Sequence, residues 1–411
     1  MQRVLEDIRV LDFGRFISCP YCGMILADMG AEVIRVDRPG GEEDRTHSLI
    51  GPDGNNLSFP SYARNKKGIT LNLTQNKPEA REILDALVKH CDVVIHNFTP
   101  AAAESMGLSY DRLTAVKPDI ILTAISCFGD EGPYRNRTGF DFIAQAMSGA
   151  MNCGGFPDKP PIRAFFNPMD YATALAAAVG TLLALRHRDK TGEGQKVDLA
   201  LLKTAISFTA PMIAEKEVLG RSRPMIANRA PYLTTTDLFE CQDGYVFIAS
   251  IMNSIWRRLA RLIGHEELIN DPELQNDLSR YEHRDKIDPL VADWISKRTV
   301  EQVLAEMEAA RIPCSPYYEL GQVSQDPHVQ ETGMLPLVDM EVPGLKPLPV
   351  PNSSFRTVGF ADLKKRLPEE VERKPESSFF LISYNFLDPG FRRGDGFLRS
   401  HPVIFVPILS L

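Results

Sequence analysis

The chain has 411 residues, enough for one large domain and a smaller one, and at 44% hydrophobic and 24% charged it has the make-up of a globular protein. A formal net charge of −8 excludes a broad nucleic-acid surface, while 46 Lys and Arg leave room for a local basic pocket that takes a small anion. The first residues carry acids where a secretory signal would be apolar, the longest apolar stretch (residues 172–185) is short for a membrane span, and seven scattered cysteines point to a reducing compartment, so a cytoplasmic protein without a membrane partner is expected.

Residues 8–13 form a short β-branched apolar run and predict a strand. Residues 20–29 predict a helix with Pro20 in its first turn and Gly30 at its end. A second strand is expected over 32–37, stopped by Pro39-Gly40-Gly41, and a third over 68–73. Residues 78–90 place Ala80, Ile83, Leu84, Leu87 and Val88 at helical spacing, and strands are expected at 92–96 and 120–126. Helices over 141–153 and 171–188 follow. Strands alternating with helices at this spacing predict an α/β fold: a doubly wound, mostly parallel, Rossmann-like sheet, forming a large domain over residues 1–220. Ligands bind such sheets beyond the carboxyl ends of the strands.

From about residue 220 the pattern changes. Segments 232–240 and 245–250 read as paired strands around Gln242-Asp243-Gly244, and helices are expected at 253–264, 284–297 and 300–310. These make a smaller α+β domain over 225–325. Residues 326–375 return to the large domain, and recurrent Pro and Gly over 335–358 predict extended chain. Residues 376–411 hold apolar β-prone runs around Asp388-Pro-Gly without amphipathic period. They read as an atypical tail from an unrelated reading frame, or else as a tail packed on a partner.

Three features invite a chemical reading. Cys19-Pro-Tyr-Cys22, after a strand and opening a helix, has the placement of a redox dithiol. The chain is far longer than a glutaredoxin and lacks a later Thr-Val-Pro, and two buried small residues explain the pair equally. Strand, helix, strand and then Asp37 imitates a dinucleotide-binding unit, but residues 12–20 hold one Gly where a pyrophosphate turn needs three. Asp170 stands directly before a strong helix that ends in Arg186, His187, Arg188 and Lys190. Helix capping alone accounts for an Asp there. Exposed amides at the same place would also keep a carboxylate ionised and stabilise an oxyanion, and such a carboxylate can attack a thioester. The eight His are scattered with no His-x-x-x-His pair, so no metal site is expected, and no Walker or Gly-x-Ser-x-Gly motif is present.

Longer motifs carry a family resemblance. Ile8-Arg-Val-Leu-Asp-Phe13, the run from Pro20-Tyr-Cys-Gly to Asp37-Arg-Pro-Gly40, Asn65-Lys-Lys-Gly-Ile-Thr-Leu-Asn-Leu73, Asp92-Val-Val-Ile-His-Asn-Phe98, Gly139-Phe-Asp-Phe-Ile-Ala-Gln-Ala-Met-Ser-Gly149 and Lys190-Thr-Gly-Glu-Gly-Gln195 stand in order. Over about residues 5–370 the chain resembles the class III CoA-transferases of CaiB/BaiF type, relatives of formyl-CoA transferase and carnitine CoA-transferase. The resemblance implies that Asp170 is the catalytic carboxylate, forming a mixed anhydride and then an aspartyl-CoA thioester. It implies acyl-CoA and a carboxylic acid as substrates, no tightly bound cofactor, and an interlocked homodimer. By the same resemblance Arg38 binds CoA, Ser18, Leu71, Asn97 and Phe98 line the nucleotide or pantetheine groove, and Arg137 is a basic CoA contact.

Thr74 and Ser105 depart from the Lys and Arg of some members, and the second domain has no Gly-rich run. The acyl-CoA racemases of the same fold are the alternative. They pair the aspartate with a His in the Gly-x-Asp segment, where this chain has Phe140. A protein that holds CoA without catalysis is a third reading. Arg223 and Arg229 are either solvated loop residues or partners for a substrate carboxylate.

Overall fold

The computed structural model describes residues 3–52, 54, 56–73, 77–339 and 344–352. Six parallel strands form the main sheet: β1 (Arg9–Asp12), β2 (Glu32–Asp37), β3 (Lys66–Thr70), β4 (Val93–His96), β5 (Ile121–Ser126) and β6 (Lys196–Ala200). Their order is β3-β2-β1-β4-β5-β6, with Leu11 of β1 aligned between Ile34 of β2 and Val94 of β4. The order reverses between β1 and β4, and a crevice for a ligand opens beyond the carboxyl ends at such a reversal.

The central strands β4 and β5 are nearly continuous apolar runs, and β1 and β2 are buried along most of their length, because helices cover both faces. On one face Leu11, Ile34, Ile69 and Val94 pack against Leu84 and Val88 of α3 (Pro78–Lys89), Ala103 of α4 (Pro100–Met106) and Leu113 of α5 (Tyr110–Val116). The other face carries α1 (Ser18–Asp28) and α7 (Pro168–Thr191), which pack closely on each other. Small residues allow that approach: Ala174, Ala177 and Ala178 of α7 are buried, as are Cys19, Cys22 and Gly23 of α1. A Cβ on Gly23 would come within 2.8 Å of the Asp12 carboxylate beneath the helix. Short α2 (Pro60–Ala63) and α6 (Asp141–Met147) complete this part.

The described residues divide into two compact units, those up to Met147 with Phe165–Ser207 and those from Thr332, and Ser148–Ala164 with Phe208–Glu331. The division falls within α8 (Leu201–Leu219), earlier than the sequence boundary at 220–225, and the second unit also takes in 148–164. The helix expected over 141–153 ends at Met147, because Gly149 adopts φ 80° and a short 3₁₀ turn follows. In the second unit β7 (Thr236–Glu240), β8 (Tyr245–Ala249) and β9 (Cys314–Pro316) form an antiparallel sheet. Positive φ at Tyr232 and Thr235 confines β7 to the last part of its expected span. Trp256 and Leu259 of α9 (Asn253–Leu262), Val291 and Trp294 of α11 (Arg284–Ser296), and Val303 and Met307 of α12 (Val300–Ala309) build its core, with α10 (Asp277–Glu282) ahead of α11.

At 24 residues, α7 is long and apolar enough to cross a membrane, which corrects the expectation drawn from residues 172–185 alone. One of its faces is spent on α1, β5 and β6, as befits a core helix. The unusual tail at 376–411 lies outside the described residues, as does Thr74.

Candidate active site

The β1–α1 turn is fastened from several sides. Asp12, at the end of β1, accepts from the Gly14 amide at 2.8 Å and from Lys66 Nζ at 2.8 Å, and Lys66 also donates to the Pro20 carbonyl. Both charged side chains are fully buried. Asn97, just past β4, clamps the turn from the other side: its Oδ1 accepts from the Arg15 amide at 2.9 Å and its Nδ2 donates to the Arg15 carbonyl at 2.7 Å. The Phe16 amide donates to Asp44, and Phe16 itself is held at φ 61°, a left-handed conformation that costs a bulky residue about 1–3 kcal/mol. Its ring meets Phe140 edge-on at 5.7 Å.

This turn delivers Ser18, the first residue of α1, to Asp170 of α7. The capping role expected of Asp170 falls elsewhere. Asn167 is the N-cap residue, in a left-handed conformation and without a side-chain capping bond, and Asp170 is the third helical residue. The first-turn amides are taken by Asp141, the first residue of α6: its Oδ2 accepts from Met169 N at 2.6 Å and from Asp170 N at 3.1 Å. Gln145, one turn along α6, donates to Oδ1, and Asp141 is fully buried. Those amides are therefore not free to stabilise an oxyanion, as the sequence reading supposed; the Ser18 hydroxyl is the donor at the carboxylate. Burial first, and then the charge of Asp141, push the Asp170 carboxyl up to about 7, against the pull of Ser18. The result is a half-buried carboxylate, poorly solvated and not consumed by its helix.

Gly139 lets this arrangement close. A Cβ there would lie 2.5 Å from Cys127 Sγ, so the segment before Asp141 can lie tight against the end of β5 only as glycine. Asp141 was missed as a functional residue by sequence reasoning. It stands inside the Gly139-Phe-Asp landmark, but its partners are 28 and 29 residues further on.

The remaining sequence candidates lie beyond the carboxyl ends of the strands. Arg38 follows β2 and is 45% exposed, donating from Nε to the Gly41 carbonyl at 3.1 Å and from Nη2 to Glu43 at 3.2 Å. Asn97 and Phe98 follow β4, with the Phe98 ring under the Arg15 guanidinium at 4.9 Å. Arg15, not singled out from sequence, thereby joins Arg38 as a cation at this edge, both within reach of Glu42. Leu71 follows β3 with its side chain in the core beside Phe13 and Val36 and its amide bonded to Asp37 O, so only its main chain can line a groove. Arg137, beyond β5, lies against the Tyr134 ring at 4.5 Å.

The competing sites do not assemble. Cys19 and Cys22 are fully buried, and burial followed by Asp12 pushes both thiols up, Cys22 to about 12, the reverse of an activated dithiol. Asp37 is buried with its oxygens taken by Arg35 at 2.6 Å and Arg45 at 2.7 Å, so it cannot receive a ribose hydroxyl. Arg223 is paired with Glu215, and Arg229 with Asp237 at 3.0 Å. Among the described residues no group of three or more His, Cys, Asp or Glu is arranged to hold a metal.

The sequence profile of CoA-transferase family III matches residues 5–369. A succinyl-CoA–D-citramalate CoA-transferase of Chloroflexus aurantiacus is 37% identical over 79% of this chain and 81% of its own. A succinyl-CoA:mesaconate CoA-transferase of Haloarcula hispanica is 34% identical over 83% and 86%. Among solved structures, a CaiB/BaiF family protein from Brucella suis superposes with a TM-score of 0.75 at 28% identity, covering 87% of this chain and 94% of that one. With the profile spanning the sheet, the Asp141–Asp170 corner and the second unit, the chain belongs to CoA-transferase family III and is a CoA-transferase rather than a racemase.

Proposed function

We propose that this enzyme exchanges CoA between a small dicarboxylic acyl-CoA, succinyl-CoA as donor, and a second small dicarboxylic acid, with Asp170 as the covalent carrier. The observation that carries the covalent step is that Asp141, and not Asp170, receives the amides of the α7 first turn. The substrate class rests on relatives named for succinyl-CoA with citramalate, mesaconate or malate, and for succinate with glutarate.

Each step exchanges one activated carboxyl for another. An Asp170 oxygen attacks the thioester carbon, the C–S bond breaks, and a mixed anhydride and CoA thiolate result. The thiolate attacks Asp170 Cγ and expels the donor acid as its carboxylate, leaving an aspartyl-CoA thioester. The acceptor carboxylate attacks Cγ and expels thiolate, which then attacks the acceptor carbonyl of the new anhydride and restores Asp170. Acyl bonds are conserved throughout, so the cycle calls for no ATP, and CoA takes part as substrate rather than as a resident cofactor. Ser18 is placed to donate to oxygen as charge develops on the Asp170 carboxyl. Arg15, Arg38 and Arg137 supply positive charge for CoA phosphates, and Asn97, Phe98 and the main chain of Leu71 shape its groove. Seven free thiols agree with a cytoplasmic setting. A homodimer would cover the apolar face that α7 leaves open, with Val179 54% and Leu183 65% exposed.

Hydroxylamine added during turnover with succinyl-CoA should convert Asp170 to its hydroxamate, read by peptide mass spectrometry, and Asp170→Ala should lose at least about 10³-fold in kcat while remaining folded. Exchange that survives in the Ala variant would sink the covalent mechanism.

A further inference from the structure

We propose that Asp141 is a positioning residue for the reaction: by taking the first-turn amides of α7 onto its own carboxylate, it keeps both oxygens of Asp170 out of its helix and available to the acyl group. The inference rests on Asp170 being the covalent carrier. A helix leaves its first amides without partners, and an acid at the third position is well placed to reach back for them. Asp170 occupies that position, yet the first-turn amides of Met169 and of Asp170 itself are bonded to Asp141 from a neighbouring helix. Asp141 has no other visible duty. It is buried, its second oxygen is engaged by Gln145, and that leaves no oxygen for substrate.

A second consequence is electrostatic. Asp141 on α6 and the Ser18 hydroxyl on α1 act on Asp170, and, adding to burial, the Asp170 charge in turn pushes up the thiol of Cys127 after β5 and the phenol of Tyr171 on α7 itself, whose ring meets Tyr21 of α1. On β6, which also packs against α7, Asp198 is engaged instead with Lys196 and Lys203. Asp141 is the anion of this set and adds to burial in holding the Asp170 carboxyl near neutrality. A more basic carboxylate is a better nucleophile toward the thioester and a poorer leaving group.

Two variants separate this role from a structural one. Asp141→Asn keeps an oxygen for the amides and removes the charge. Its acid limb in kcat/KM against pH should move down by about one unit, with kcat at pH 8 within about threefold of the parent. Asp141→Ala removes the acceptor, so that Asp170 turns back to cap α7. Its kcat should fall about 50-fold or more with KM for acyl-CoA little changed, and the Asn variant should rescue most of that loss. If the Ala variant fails to fold, the Asn profile decides alone. An unmoved acid limb in the Asn variant, or parental kcat in the Ala variant, overturns the inference. Hydroxylamine trapping on the parent enzyme distinguishes the two failures. Without an Asp170 adduct the covalent reading itself falls. With an adduct and either of those two results, only the role of Asp141 falls.

Discussion

A carboxylate acts as a nucleophile only when it is ionised, reachable and not already bonded, and these demands conflict at Asp170. The Ser18 hydroxyl favours the charge, while burial and Asp141 oppose it more strongly. Because the folded carboxyl titrates at about 7 and the unfolded one near 3.8, the native state binds the extra proton between those values, and stability falls as pH rises through that window. Asp170→Asn should therefore raise the stability of the fold by about 2 kcal/mol above pH 7, a figure discounted for partial exposure, with the gain vanishing below pH 4. Urea unfolding at pH 4 and pH 8 measures it; equal gains at both pH values would show that the charge is not the cause. The same titration gives the parent enzyme a kcat/KM that climbs with pH through about 7.

At the scale of elements, the site is made by three segments that end at one place: the β1–α1 turn, α6 and the start of α7. The turn has to hold Phe16 in a left-handed conformation, and the buried Asp12–Lys66 pair, Asn97 and Asp44 together supply the bonds that hold it. Removing one member of a buried pair strands the other. Lys66→Met should cost about 3–5 kcal/mol, seen as a lower urea midpoint, and Asp12→Asn in the same chain should recover much of it. A single variant as stable as the parent would show that water reaches Asp12 and that the turn is held by Asn97 and Asp44 instead. The element boundaries read from sequence erred where tertiary contacts decide them. β6 alternates charged and apolar residues as a half-exposed edge strand, and α8 carries Pro211 and no clear period, so neither stood out before the fold was known.

For the whole molecule, the open face of α7 bears on assembly. Leu175, Val179, Leu182 and Leu183 recur at helical spacing and stay exposed, opposite the alanine face packed on α1. Since the reading is a homodimer that covers this face, Val179→Asp combined with Leu183→Asp should halve the mass measured by sedimentation at micromolar concentration, and by disturbing the assembly around α7 should also lower activity. An unchanged mass would place any dimer contact elsewhere.

The sequence by itself determined the parallel sheet, through short β-branched apolar runs alternating with segments whose apolar positions recur at helical spacing, and marked Asp170 as an acid at a helix start. It also carried the family, through motifs whose order survives without knowing where they meet. Only the tertiary structure decided that Asp170 is not the cap, because that depends on Asp141, which folding brings from another helix onto the same amides. Likewise Cys19, Cys22 and Asp37 have suggestive spacing, and burial with fixed partners removed their chemistry. Spacing along the chain fixes which face a side chain takes; desolvation and hydrogen-bond partners, which set reactivity, come from residues distant in the chain.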